Sequence, residues 1–356
     1  MMEFLASSIE RFGDRHVLAI GGLVIGLLFG LLAQRSRYCA RAAVLECCER
    51  QPALRTSVWW LGFAVAVVAV QLLVLMGGLQ PEVSRFIAQP GSYSGAVLGG
   101  LLFGMGMVLA KACAGRMIVL SGQGNLRALL AGLVFAVAVQ ASIGGWLAPL
   151  RRSLAGLWQV DPGPDRNVLH LLGAAPWMGS VVGLLMLVSA LVLFSRHHRG
   201  RWGLGLMASG AGLCVALAWG FTQAVASQSF EAIAVQSLTY SSPSAEWLMR
   251  VLSSDSAASF GFESGLLPAT FAGAFLGALL GRDFKFEGFK TENRLGHYMI
   301  GAVLMGFGAV LAGGCTIGAG MSGGSIFAVS AWLTLLSIWL GAALTWRAHK
   351  ALGWSV

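Results

Sequence analysis

Three of the six cysteines follow glycine-rich apolar runs, and these are the positions at which the sequence could do chemistry. Cys39 ends the run LFGLLAQRSRYC, Cys113 ends GMGMVLAKAC, and Cys315 ends GFGAVLAGGC. A thiol is a weak hydrogen-bond donor and a soft, polarizable group, which suits a large sulfur anion that must be passed on without being held tightly. We therefore predict that these three cysteines line an anion pathway. The competing interpretation is that they are small core residues, as a cysteine in an apolar helix usually is.

The other three cysteines lack this setting. Cys214 lies in the middle of an apolar segment, and Cys47 and Cys48 lie in a charged connection. We interpret the first as a core residue and the other two as incidental. The chain contains no C-x-x-C pair, which disfavours a membrane thiol oxidoreductase but leaves it as an alternative.

Two of the cysteine runs repeat each other. Residues 104–113 and 306–315 agree at six of ten positions when they are aligned at an offset of 202 residues. The two copies end apolar segments that are five spans apart, so they cross a membrane in opposite directions. Inverted repeats of this kind are typical of secondary transporters and channels. We predict two inverted halves, residues 17–147 and 203–346, joined by a connecting helix at 168–194.

The stretches that follow Cys113 and Cys315 are rich in glycine and apolar enough to dip back into a membrane. Irregular backbone at membrane depth is tolerated only where protein or a cavity surrounds it, so we predict re-entrant loops. Free N–H groups at the start of a following helix would favour an anion. The candidate supporting residues in and around these loops are Arg37, Arg41, Lys111, Arg116, Gly122, Asn125, Thr316, Gly323 and Gly324. The basic ones could equally be ordinary anchors on the positive side of a membrane.

The composition indicates which elements must position these residues. Of 356 residues, 56% are hydrophobic and 11% are charged, against about 25% charged in a soluble domain. Runs that could cross a bilayer as helices, free of Asp, Glu, Lys and Arg, are 17–33, 58–79, 94–110, 128–147, 168–194, 203–226, 265–281, 297–312 and 326–346. We therefore predict an all-α polytopic membrane protein with nine transmembrane helices.

The basic residues indicate an orientation. With the N-terminus outside, the connections on the inner side carry 17 Lys and Arg and those on the outer side carry 7. The positive-inside rule thus favours an external N-terminus and a cytoplasmic C-terminus. This asymmetry, together with contact with anionic membrane lipid, explains the net charge of +9 without nucleic acid as a partner. Histidines do not occur at metal-ligand spacing and no GxxxxGK[ST] motif is present, so we predict no metal, no cofactor and no ATP site in this chain.

The stretches SRYCAR (36–41), KACAGR (111–116) and GGCTIG (313–318) resemble the YeeE/YedE sulfur-transport family over nearly the whole chain. That resemblance implies a bacterial or archaeal inner-membrane protein with inverted halves. It also implies uptake of thiosulfate, without chemical turnover, by a relay through the three cysteines, often beside a small TusA-like sulfur carrier in the cytoplasm. Only the three cysteines carry over residue by residue. Some relatives are assigned to selenium metabolism, so another soft anion, such as a selenium species or sulfide, stays open, as does a membrane scaffold that transports nothing.

The segment 227–264 has no counterpart that the sequence reveals. We predict that it lies outside the membrane as a lid or an insertion.

Overall fold

The computed structural model describes residues 7, 9–49, 53–231, 233–253, 261–288 and 295–352, and these residues are mostly helical. Within them, nine helices are long and apolar enough to cross a membrane, and each overlaps one of the nine predicted segments. This confirms an all-α, multi-pass membrane protein. The helices are α1 (Asp14–Arg35), α2 (Ala40–Glu49), α3 (Leu54–Leu75), α4 (Arg85–Ala88), α5 (Tyr93–Leu109), α6 (Ala114–Gly122), α7 (Leu126–Ile143), α8 (Ala148–Ala155), α9 (Val168–Leu171), α10 (Pro176–His197), α11 (Trp202–Ala226), α12 (Ser241–Ser253), α13 (Phe262–Leu280), α14 (Leu295–Leu311), a π-helix (Thr316–Gly323) and α15 (Val329–Ala351).

The segment expected to form one connecting helix at 168–194 is broken. The short helix α9 ends at Leu171, Gly173 has φ of 62°, and α10 begins only at Pro176. A proline lacks the N–H that a helix interior needs but is well suited to the first helical turn. The glycine and the proline therefore set the start of the membrane-spanning helix eight residues later than the apolar run suggested.

Glycines bring the long helices into backbone contact. A Cβ atom on Gly22 or Gly30 of α1 would collide with the carbonyl oxygen of Phe262 or Thr270 of α13. Small residues at such interfaces let helices approach closely, and van der Waals packing is a main source of helix association in lipid. The α1–α13 pair is therefore held together by close packing along most of its length.

A second contact of this kind joins α5 to α14 and is reciprocal. A Cβ on Gly99 would lie 2.7 Å from the carbonyl oxygen of Gly308, and one on Gly308 would lie 2.6 Å from that of Gly99. Gly106 and Gly301 oppose each other in the same manner. Applying the 202-residue offset to Gly99 gives Gly301, and applying it to Gly106 gives Gly308. The offset therefore converts the Gly99–Gly308 contact into the Gly301–Gly106 contact. A local two-fold relation between two halves would produce this arrangement.

Part of the segment 227–264, which we predicted to be an exterior lid or an insertion, is buried within the protein. Val235, Leu238 and Tyr240 are each at most 1% exposed, and α12 follows directly. The Ser322 hydroxyl donates to the carbonyl of Leu238 at 2.8 Å, which attaches this stretch to the π-helix. The chain enters the protein interior here because its apolar residues and hydroxyls find partners there. Residues 232 and 254–260 lie outside the described part of the segment.

A small antiparallel strand pair closes one end of the helix bundle. Strand β1 (Gly91–Ser92) pairs with β2 (Gln159–Val160), with Gly91 opposite Val160. The pair connects the start of α5 to the segment that follows α8. It lies at the end of the bundle where α5 begins and α14 ends.

Candidate functional site

The three cysteine loops share one backbone path. In each, a long helix ends, and the residue two positions before the cysteine adopts a left-handed conformation: φ is 53° at Arg37, 55° at Lys111 and 77° at Gly313. For a residue with a Cβ atom this conformation is uncommon and costs about 1–2 kcal/mol, so it persists only where the surroundings hold it. The long helices α1, α5 and α14 thus each lead into a short helix through a turn that contains a residue with positive φ.

Each cysteine then begins a short helix. The carbonyl oxygen of the cysteine accepts from the backbone N–H four residues later, at 3.2 Å for Cys39, 2.9 Å for Cys113 and 2.9 Å for Cys315. The side chain of Cys315 also accepts from the N–H of Gly318 at 3.4 Å. The thiols therefore lie at the N-terminal, partly positive ends of α2, α6 and the π-helix, where an anion is favoured.

The structure brings the three sequence-predicted cysteines near one another. Cys39 is half-buried, Cys113 is 3% exposed and Cys315 is fully buried. The Cys113 thiol is close enough to both others to interact with them electrostatically. In the described part of the chain, no three His, Cys, Asp or Glu side chains lie close enough together to hold a metal ion.

The space beside Cys113 is very small. A cavity of about 10 Å³ is lined there by Tyr38, Trp59, Arg116 and Ile317, among others. That volume corresponds to at most about one water molecule, so no thiosulfate-sized anion fits. The space beside Cys113 is therefore too small for such an anion in this conformation.

Tyr38, which sequence reasoning did not single out, is one of the residues that line this cavity. Its hydroxyl lies 3.2 Å from the sulfur of Met321 in the π-helix and 3.3 Å from the backbone carbonyl oxygen of Trp59 in α3. The side chain is 5% exposed and immediately precedes Cys39. It links the first cysteine loop to the helix that follows Cys315.

Two of the predicted arginines direct unpaired donors into this region. Nε of Arg41 and one terminal guanidinium nitrogen of Arg116 are buried and have no hydrogen-bond partner. Arg116 interacts electrostatically with Cys39 and Cys113, and Arg41 with Cys39. A buried guanidinium with unused donors is costly unless a counter-charge satisfies it. Both side chains are therefore suited to a transient anion.

The remaining basic candidates, Arg37 and Lys111, are not among the described residues that line the cavity beside Cys113. Arg37 is exposed, and the Lys111 ammonium lies 5.6 Å from the centre of the Tyr298 ring.

Thr316 is well placed to contact an anion. Its buried hydroxyl lies within hydrogen-bonding reach of the Cys113 thiol and has no other partner among the described residues, and Thr316 lines the cavity beside that thiol. Thr316 directly follows Cys315, so it connects the second and third cysteine positions.

The other predicted loop residues have packing or capping contacts. Asn125 caps α7 by accepting from the N–H of Ala128 at 2.9 Å, and it donates to Glu287. Gly122 faces α13, Gly323 faces Ala331 and Phe86, and Gly324 faces the Phe63 ring. These four candidates support the loops rather than line the cavity.

A fourth loop was missed because it contains no cysteine. At the 202-residue offset, Tyr38 corresponds to Tyr240 and Cys39 to Ser241. Tyr240 is fully buried, Ser241 is 4% exposed, and α12 begins at Ser241 much as α2 begins after Cys39. Tyr240 interacts with Cys315 electrostatically, as Tyr38 does with Cys113. Extending the repeat alignment backwards from the glycine motif would have found this pair.

Comparison with known proteins agrees with the motif resemblance. A family described as sulphur transport matches residues 35–344. The thiosulfate transporter TsuA of Spirochaeta thermophila is 27% identical over 338 residues, which cover 90% of this chain and 96% of that protein. The thiosulfate transporter TsuA of Escherichia coli K12 is 24% identical over 345 residues, with 91% and 92% covered. The chain belongs to the YeeE/YedE sulphur-transport family.

Proposed function

We propose that this protein carries thiosulfate across the membrane through Cys113 and Cys315, with Cys39 at one end of the path, and without chemical turnover of the ion. The observation that supports this most directly is the set of three loops with one backbone path, each placing a thiol at a helix N-terminus near the same closed cavity. Thiosulfate is proposed as the substrate because both related proteins are thiosulfate transporters.

The surroundings of the thiols match what a relay requires. Cys113 and Cys315 offer weak S–H donors, Arg116 offers a buried donor without a partner among the described residues, and the Thr316 hydroxyl lies beside the Cys113 thiol. Contacts of this strength can replace water around the ion without trapping it, and conduction needs such multi-site, moderate binding. A tight, fully paired anion site would hold the ion too long.

The closed cavity means that transport requires local motion. Since the space beside Cys113 accommodates at most about one water, Tyr38 or the short helices must shift before an anion passes. A conformation that blocks free passage is also what the membrane needs, because an open pore would leak other anions.

We also propose how the protein is oriented in the membrane, how its halves are arranged and which partner it has. We place the protein in a bacterial or archaeal inner membrane with the N-terminus outside, from the distribution of Lys and Arg. We further propose inverted halves at 17–147 and 203–346 with re-entrant cysteine loops. The reciprocal glycine contacts of α5 with α14 support the halves. We also propose a small TusA-like sulfur-carrier protein as a partner on the cytoplasmic side.

The test is thiosulfate uptake in cells that lack their own sulfate and thiosulfate importers and depend on thiosulfate as sole sulfur source. Cells that express this chain should grow and accumulate labelled thiosulfate. The Cys113→Ala and Cys315→Ala variants should not, whereas Cys113→Ser should retain part of the activity because it keeps a donor at the same place.

The matched control is Cys214→Ala, since that thiol is equally buried at 2% but lies in the middle of α11. Membrane levels and melting temperatures of all variants separate loss of transport from loss of folding. Wild-type uptake in both Cys113→Ala and Cys315→Ala would contradict the relay. Uptake of selenite or sulfide but not thiosulfate would show that the substrate is a different anion, while the proposed pathway through the cysteines would stand.

A further inference from the structure

A second cavity lies at the end of the bundle closed by the strand pair, and three arginines line it. Its volume is about 310 Å³, and its lining includes Arg85, Arg151 and Arg166, which come from three separate parts of the sequence. We call it the arginine vestibule. Gly313, two residues before Cys315, lies in its wall, so the vestibule leads to the third cysteine loop.

Two arginines of the vestibule have guanidinium N–H donors that the described protein groups do not use. Arg166 is only 4% exposed, and one of its terminal nitrogens donates to the carbonyl of Gln89. Within the described part of the chain, the buried Nε atoms of Arg166 and Arg151 have no hydrogen-bond partner. The guanidinium of Arg85 lies 5.1 Å from the Phe86 ring centre. Buried donors on a charged group are costly unless a ligand completes them.

The backbone is shaped to admit Arg166. A Cβ atom at position 91 would collide with the Arg166 guanidinium, so a larger residue at the start of β1 would displace that side chain. Burial lowers the pKa of Arg166, and an anion beside it would favour the charged form again. Ser330, in the first turn of α15, also lines the cavity and adds the positive end of a helix dipole.

Counter-charges in the protein do not neutralise the cluster. The described structure contains no salt bridge to any of the three arginines. Asp165, next to Arg166, pairs with His170 at 3.1 Å instead. Glu263 at the start of α13 interacts electrostatically with Arg85, which leaves Arg151 and Arg166 to a ligand.

The position of the three arginines in the proposed topology also favours a ligand-binding role. The proposed orientation puts only 7 of the 24 Lys and Arg residues on the outer side, where the positive-inside rule disfavours them. Three of those seven meet in one cavity. Ordinary anchoring of helices does not require such convergence from distant parts of the chain.

We infer that the arginine vestibule is an anion-binding site that captures a compact divalent oxyanion, such as thiosulfate or sulfate, before it reaches Cys315. Arg151 and Arg166 bind the oxygens, and the terminal sulfur of thiosulfate does not distinguish it from sulfate at this step. Selection for sulfur falls to the thiols. This inference rests on the proposed function for its biological meaning but concerns a site separate from the thiols.

Binding is measured on purified full-length protein in neutral detergent by calorimetry with sodium thiosulfate and with sodium sulfate at constant ionic strength. The protein should bind both anions. Arg151→Gln and Arg166→Gln should each weaken both affinities by at least about ten-fold, as loss of a charge-assisted hydrogen bond in a dry site does. Arg152→Gln is the matched control, because that neighbouring arginine is exposed and does not line the cavity.

The half-buried Arg151 is the safer substitution if Arg166→Gln fails to fold, and Gly91→Ala provides a third route by displacing the Arg166 guanidinium. In uptake assays, Arg151→Gln should raise KM with little change in Vmax, since capture and not the relay is weakened. Unchanged affinity of Arg151→Gln and Gly91→Ala relative to Arg152→Gln overturns the inference. So does binding that appears only with phosphatidylglycerol in nanodiscs and never with the free anions, which would assign the site to a lipid phosphate.

The Cys113→Ala/Cys315→Ala double variant separates this inference from the transport proposal. Binding to the vestibule should persist in it with wild-type affinity. If no variant transports thiosulfate yet the arginine-dependent binding remains, the transport proposal fails and the anion site stands.

Discussion

Replacing Tyr38 with phenylalanine tests whether the narrow space beside Cys113 is a gate. The change removes only the hydroxyl, which lies 3.2 Å from Met321 Sδ and 3.3 Å from the Trp59 carbonyl oxygen. The ring keeps its packing. The Trp59 carbonyl lies within α3, so no backbone group is stranded.

The expected size follows from the energy of such contacts. Hydrogen bonds between helices in a membrane contribute on average about 0.6 kcal/mol each. Two of them give about 1 kcal/mol, and the closed state should lose that stabilisation relative to an open one. Where opening limits transport, Vmax for thiosulfate should rise by up to about five-fold. The phenolic group should not contribute to KM if it never contacts the ion.

The assay is initial-rate uptake of labelled thiosulfate into proteoliposomes over a range of concentrations. Met321→Leu removes one of the two contacts from the other side, and the double variant tests the coupling, since residues in direct contact give non-additive effects. A lower Vmax in Tyr38→Phe at unchanged melting temperature would refute the gate and indicate that the hydroxyl assists the ion directly.

Three further predictions follow from the fold. Ser241→Leu should strongly reduce uptake while Ser241→Cys should retain it, because the fourth loop accepts a thiol-sized group but no branched side chain; equal uptake in both would remove this loop from the path. Gly30→Val should destabilise the protein by about 1–3 kcal/mol in a denaturant titration, since its side chain would meet the α13 backbone, whereas Gly132→Val, with nothing within 4 Å, should be close to neutral. Cys47, which is exposed in the proposed cytoplasmic connection, should react with a membrane-impermeant maleimide only after cells are opened, and labelling of intact cells would reverse the orientation.

The long helices could be predicted from the sequence because membrane burial imposes a simple rule on them. A span needs about 20 apolar residues, and the chain confines its formal charges to the connections. The rule fails where local chemistry decides, as at Gly173 and Pro176, which interrupt an apolar run that is otherwise long enough to continue.

The candidate site could be predicted only in part. The glycine motif before Cys113 and Cys315 identified the thiols, but nothing in a window around Arg85, Arg151 or Arg166 shows that they meet in one cavity. Tyr38 was hidden for the same reason, since its partner Met321 lies 283 positions away. Contacts made across such distances depend on tertiary packing, which local periodicity does not encode.

The packing of the glycines limits how the gate can open. The backbone contacts of Gly30 with α13 and of Gly99 with α14 leave no gap that a sliding helix could use without losing close contact along its whole length. The short helices after the cysteines are different. Each follows a turn that contains a residue in the left-handed conformation. The last of them is a π-helix, a form that is rare and often found at functional sites. We therefore expect the long helices to stay fixed during transport while Tyr38 and the short helices shift around the thiols. Disulfide or spin-label distances between α1 and α13 should then stay constant with and without thiosulfate, and those between α2 and the π-helix should change.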